Sequence, residues 1–183
     1  MRTRSLITGA LTLVALGLAA SPAAAQHAQT RQGFWAGVGM GWGSFGLDCD
    51  ICDGLDRTGS YSGYLKLGGT LRSNLLVGAE LNGWTKSEDG ATVEFGNASA
   101  AAYWYPTVES GLFLKGGMGY SRLAADTGLD SASDGGWGLL AGIGFDMRVG
   151  RNTSLTPVMN YFRGSFDGGS ADVVQLGLGV TFH

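Results

Sequence analysis

Residues 173–183, Val-Val-Gln-Leu-Gly-Leu-Gly-Val-Thr-Phe-His, decide the fold. Leu176, Leu178, Val180 and Phe182 take every second position, and Gln175, Gly177, Gly179 and Thr181 fill the gaps. A period of two, apolar on one face and small or polar on the other, is a β-strand pattern. A helix opposes this reading, since each interior glycine costs about 0.8–1.0 kcal/mol relative to alanine. The apolar face needs an apolar environment, and the glycine face leaves space for another surface to approach. Several such strands, closed with the apolar face outward, make a barrel that spans a bilayer.

Working outward, the same alternation recurs along the chain. Phe34, Ala36, Val38, Met40 and Trp42 alternate with Trp35 and the glycines 37, 39, 41 and 43, which predicts a first strand over 34–43. Further strands are predicted over 60–71, 75–84, 92–105, 112–121, 137–148 and 153–166, with 173–182 as the eighth. Pro106 ends the fourth, and Pro157 interrupts the seventh. The connections after the odd-numbered strands are rich in Asp, Ser and Gly, with loops expected over 47–58 and 124–134. Those after even-numbered strands are short. Outer-membrane barrels put short turns in the periplasm and longer loops outside. Both termini are therefore expected on the periplasmic side.

The first 25 residues read as a secretory signal, and residues 26–183 as the barrel domain. Arg2 and Arg4 form a basic start, an apolar run follows, and Ala23 to Ala25 offer an A-x-A cleavage site. Removing that segment leaves 10 basic against 15 acidic residues, with no basic patch for nucleic acid. The 33 glycines show no G-X-Y repeat, and a hydrophobic content of 44% argues against disorder.

Aromatic residues fall near both ends of the strands. Trp42, Phe45, Tyr61, Trp84, Tyr120, Trp137, Tyr161 and Phe166 lie toward the loops. Phe34, Trp35, Tyr103, Trp104, Tyr105, Phe113 and Phe182 lie toward the turns. Two girdles at the membrane interfaces are expected from this placement.

From the Ala23–Ala25 signal end, the glycine-alternating segment 33–43, the Tyr103-Trp104-Tyr105-Pro106 strand end and the terminal Leu176–Phe182 pattern, the chain resembles the small eight-stranded outer-membrane β-barrels, the group of the OmpA transmembrane domain, OmpX and OmpW-like proteins. The resemblance implies an all-β, antiparallel up-and-down transmembrane barrel, monomeric, located in the outer membrane and without a cofactor. It implies outer-membrane lipids and lipopolysaccharide as surroundings. It also implies that the outer-membrane assembly machinery reads Leu176, Leu178, Val180 and Phe182, although His183 stands where the family ends on an aromatic residue.

Chemistry is expected in three places. Lys66, Glu80, Lys115, Asp146 and Arg148 share the inward phase, and buried charges need partners. An eight-stranded barrel fills with side chains, which favours a static polar core over a salt-bridged plug gating a narrow water path. Cys49 and Cys52, the only cysteines, form C-x-x-C; an oxidising compartment favours a local disulfide over a metal or redox site. Eleven of the 15 acidic residues, Asp48, Asp50, Asp53 and Asp172 among them, fall in or beside the expected outer loops, where divalent cations are a candidate partner.

Two other classes compete with a non-catalytic barrel for envelope integrity or surface interaction. A lipid A-modifying barrel enzyme needs a histidine beside an outer serine, yet His27 and His183 are expected at the end opposite Ser165 and Ser170. A soluble periplasmic lipocalin-like barrel would turn its apolar face inward around a ligand.

Overall fold

The computed structural model describes residues 31–49, 56–128 and 130–183. The predicted signal segment and Cys52 lie outside them, and for Cys49 only the backbone is described. The strands are β1 (Phe34–Cys49), β2 (Thr58–Arg72), β3 (Leu75–Glu88), β4 (Ala91–Trp104), β5 (Leu112–Asp126), β6 (Ser131–Phe145), β7 (Met147–Arg148), β8 (Thr153–Phe166) and β9 (Gly169–Phe182). The two-residue β7 continues β6 past a break at Asp146, so eight staves surround the axis. Each stave runs antiparallel to its neighbours. β1 pairs with both β2 and β9, and β6 pairs with β8, which closes the sheet. A closed sheet has no edge with unpaired backbone groups, the condition for crossing hydrocarbon with strands.

The pleat decides what faces lipid. Met40, Trp42, Tyr61, Trp137 and Leu176 project outward and are more than half exposed. In-between positions face the interior, where glycine allows close approach of backbone. A Cβ on Gly41 would meet the Leu176 carbonyl oxygen at 1.9 Å.

Three expectations need correction. The staves are longer than the apolar alternation indicated. β1 extends to Cys49, while β5 and β6 take up most of the expected 124–134 loop. Hydrogen bonding between strands does not require an apolar face, so the polar segments Ala124–Asp126 and Ser131–Asp134 stay paired. Two of the connections at the end opposite the termini are two-residue Asp-Gly hairpins, with Asp89 at φ 51° and Gly90 at φ 81° in one and Gly168 at φ 94° in the other.

The second correction concerns the connection 105–111, expected to be short, which spans seven residues between β4 and β5. The contrast of loop length between the two ends is therefore weaker than the sequence suggested. The third concerns the aromatics. Phe45, Trp84 and Phe166 at one end, and Trp35, Tyr103, Tyr105 and Phe113 at the other, turn inward. They stopper the interior instead of belting the membrane, because the inner face of a narrow barrel also needs filling.

Candidate functional site

The barrel interior holds most of the buried polar chemistry, in layers. At the end where β1 begins and β9 finishes, the floor is built around Asp146, in the break between β6 and β7. Tyr105 Oη donates to Asp146 Oδ2 at 2.8 Å, and Thr156 Oγ1 donates to Oδ1 at 2.7 Å. His183 Nε2 lies 3.4 Å from Oδ2. The residue that departs from the terminal aromatic pattern is thus folded into the floor. Burial pushes its imidazole below its ordinary pKa, and the Asp146 carboxylate opposes that shift. Arg148, also predicted inward, is buried at the same end.

Arg31 completes the floor, and no sequence pattern singled it out. It precedes β1, yet its guanidinium lies 3.6 Å from the centroid of the Tyr105 ring. Its Nη1 donates to the Val108 carbonyl at 2.9 Å and its Nη2 to the Ser110 carbonyl at 2.7 Å. The β4–β5 turn lies across the barrel from β1 in the sheet order, so the lead spans the mouth. A charge that stacks on a ring and donates to carbonyls leaves no periodic trace in sequence.

The upper part of the floor holds Lys66, Glu80 and Lys115. Lys66 and Glu80 are cross-strand partners in register, but Glu80 instead binds Lys115 from β5, with Nζ 2.5 Å from Oε1. Tyr103 Oη donates to Glu80 Oε2. Among the described residues Lys66 meets no carboxylate at ion-pair distance; its Nζ sits 5.1 Å from the Phe113 ring centroid and 5.5 Å from that of Tyr103. Aromatic faces surround Lys66, and the Asp146 and Glu80 carboxylates act on it from beyond ion-pair distance.

The next layer is neutral. Asn160 Nδ2 donates to Gln175 Oε1 at 2.7 Å, Gln175 Nε2 to Ser62 Oγ at 2.9 Å, and Asn97 Nδ2 to Ser121 Oγ at 2.9 Å. Capping it, Phe95 and Phe162 stack at 5.5 Å, and Phe45 stacks on Trp84 at 4.6 Å. The interior is therefore occupied from floor to cap.

Eight closed staves with an apolar outside and a packed polar inside match one group of proteins. The family model for the outer membrane protein beta-barrel domain matches residues 11–182. The chain belongs to the outer-membrane β-barrel family. Among solved structures, this outer-membrane barrel is similar to Neisserial surface protein A (NspA), with 17% identity and a TM-score of 0.61 over 82% of this chain and 97% of that one. It is also similar to Ail, the attachment invasion locus protein of Yersinia pestis, with 14% identity and a TM-score of 0.59 over 82% and 99%. The N-terminal β-barrel domain of Pseudomonas aeruginosa OprF gives 13% identity and a TM-score of 0.55 over 84% and 98%. At these identities the likeness shows the fold. No curated protein matches.

On the outer face of this barrel, at the end opposite the floor, two arginines are neutralised. Arg57 Nη2 lies 2.7 Å from Asp172 Oδ2 and donates to the Ser44 carbonyl at 2.6 Å, tying β1 and β9 to the start of β2. Arg163 lies 3.8 Å from Asp48. Two of the acids proposed for cation binding are thus held by arginines. No group of three or more His, Cys, Asp or Glu side chains converges among the described residues. Leu176, Leu178 and Phe182 of the terminal strand face outward, and Val180 is half-buried.

Proposed function

We propose that the protein is a non-catalytic outer-membrane barrel that serves envelope integrity or surface interaction, with at most a narrow gated path through its centre. The filled interior carries this reading: a neutral hydrogen-bonded layer lies between an aromatic cap and a charged floor. A filled eight-stranded barrel offers stiffness and two surfaces, not a wide channel. Both termini are assigned to the periplasm, with the acidic hairpin end outside. The similar Ail structure includes one in complex with the heparin analogue sucrose octasulfate, which favours surface interaction for barrels of this shape.

Against catalysis stands the position of His183, buried in the floor beside Asp146, while Ser165 and Ser170 lie at the far end of β8 and the start of β9. A nucleophile needs its base within hydrogen-bond reach. Outer-membrane lipids, lipopolysaccharide and the assembly machinery reading Leu176, Leu178, Val180 and Phe182 are the partners this reading implies. Cys49 and Cys52 form a loop disulfide in it, so thiol titration of unreduced protein should find no free thiol.

Cell fractionation with a heat-modifiability gel tests the reading. A protein that pellets with outer membranes and migrates differently unboiled and boiled is expected. A soluble periplasmic protein without a shift would instead support the lipocalin-like alternative.

A further inference from the structure

The glycines of this barrel fall into two classes. Inward glycines such as Gly41 and Gly119 leave no space, since a Cβ would meet cross-strand backbone at 1.9 Å. Gly63, Gly83 and Gly96 differ: a Cβ there would meet nothing nearer than 3.4 Å, and at Gly83 nothing within 4 Å. All three share the outward phase with the lipid-facing Tyr61 and Leu81. Packing within the chain does not call for glycine at these positions, and glycine weakens a strand relative to alanine.

These positions form one continuous row. Register pairs Met40 with Gly63, Gly63 with Gly83, Gly83 with Gly96, and Gly96 with Arg122. The row is an open groove on the outer wall, about 530 Å³ beside Met40, Trp42 and Tyr61 and about 380 Å³ where it reaches Arg122. Trp42 and Tyr61, in edge contact at 5.6 Å, wall the apolar end. The groove also climbs. Met40 is the seventh residue of β1, whereas Arg122 is the eleventh of β5, counted from the same end of the barrel. It therefore runs obliquely from the mid-depth of the wall to the rim.

Its upper end carries the guanidinium of Arg122. Arg57, Arg163 and Lys86 at this rim each have a carboxylate within 4.0 Å. Arg122 has none among the described residues, and its guanidinium donates to Ser133 Oγ at 3.2 Å. Glu94 lines the same end without forming an ion pair with it.

We propose that this groove is a binding site for the phosphorylated glycolipid of the outer leaflet, with one acyl chain lying along Gly63, Gly83 and Gly96 and a sugar phosphate on Arg122. An apolar slot that rises to a guanidinium with no ion-pair partner among the described residues has the polarity of a lipid standing in a leaflet. A bidentate donor suits a phosphate oxygen pair. The inference rests on the outer-membrane reading with the Arg122 end outside.

Native mass spectrometry of the full mature protein, folded in detergent and titrated with lipid A, tests it. Gly83→Leu fills the slot where no atom of the chain stands in the way, and Arg122→Gln removes the charge. Each variant should retain at least about fivefold less lipid A than wild type, an effect of about 1 kcal/mol. Retention of phosphatidylcholine should stay equal in all three. Unchanged lipid A retention in both variants, with the heat-modifiable form intact, overturns the proposal. So does a wild-type dimer that Gly83→Leu dissolves, because a second copy would then occupy the groove. A chain that fails to enter the outer membrane at all refutes the underlying reading instead, and fractionation separates the two.

Discussion

Phe45, Trp84, Phe95, Phe162 and Phe166 stopper one end of the barrel by ring contact, whereas Trp35, Tyr103, Tyr105 and Phe113 stopper the other around charges. The cap is a small apolar core of ordinary kind, with rings 4.6–6.2 Å apart. The floor holds Lys66, Glu80, Lys115, Asp146 and Arg31 in the same confined space. Removing a ring from the cap should cost its burial and a cavity. Removing one charge from the floor should strand its partners, and stranded buried charges cost more than either ion pair contributes.

The largest effect is expected at Glu80. Glu80→Ala leaves Lys115 in the interior without its carboxylate partner and removes one of two carboxylates acting on Lys66, and should lower unfolding stability in lipid by about 3–5 kcal/mol, read from the urea midpoint. Replacing the pair together, Glu80→Met with Lys115→Met, should recover most of that loss. If the double variant is as unstable as the single one, the floor is not held by charge pairing. At the cap, Phe95→Ala should cost about 3 kcal/mol in the same assay, with no second substitution that rescues it.

Arg31→Ala comes next, at about 2 kcal/mol, because it removes a desolvated ring contact and two charged hydrogen bonds. Arg31→Lys should restore only part, since an ammonium does not stack flat on Tyr105 or reach both carbonyls in a fork. A full rescue by lysine would reduce the strap to a simple charge.

The smallest effect concerns pH. Burial holds the His183 pKa below its unfolded value, so the folded protein favours the neutral imidazole. Stability from this group is complete above the unfolded pKa of about 6.5 and is lost as pH falls from there through the lower folded pKa. Between about pH 7.5 and 5.5 the wild-type midpoint should drop by less than about 1 kcal/mol equivalent, and His183→Gln should flatten that slope. A midpoint that rises on acidification would mean that protonated His183 binds Asp146 strongly enough to outweigh burial.

The cap and the floor also differ in how far they could be read from the sequence. The period of two placed Lys66, Glu80, Lys115, Asp146 and Arg148 on the inner face, and all five are buried there. It could not show which of them meet. Lys66 and Glu80 are register partners, yet Glu80 takes Lys115 from two staves away, because reach across a curved interior follows side-chain length as well as pairing. Phase was legible for Trp84 and Phe113 too, but their place near strand ends suggested a belt, and inward aromatics near the ends mimic one. Arg31 and the His183–Asp146 contact join the two ends of the described chain to the middle of the sequence, and no local pattern records such contacts. The polar strand extensions near residues 124 and 134 escaped for a related reason: in water, backbone pairing continues without apolar alternation.

Liposome swelling with a small sugar, on the folded wild-type protein, tests the central claim that both ends of the interior are stoppered. Swelling no faster than in protein-free liposomes is expected, because cap, neutral layer and floor leave no continuous sugar-sized path. Rapid swelling that scales with the amount of protein would contradict the account and make the barrel a channel.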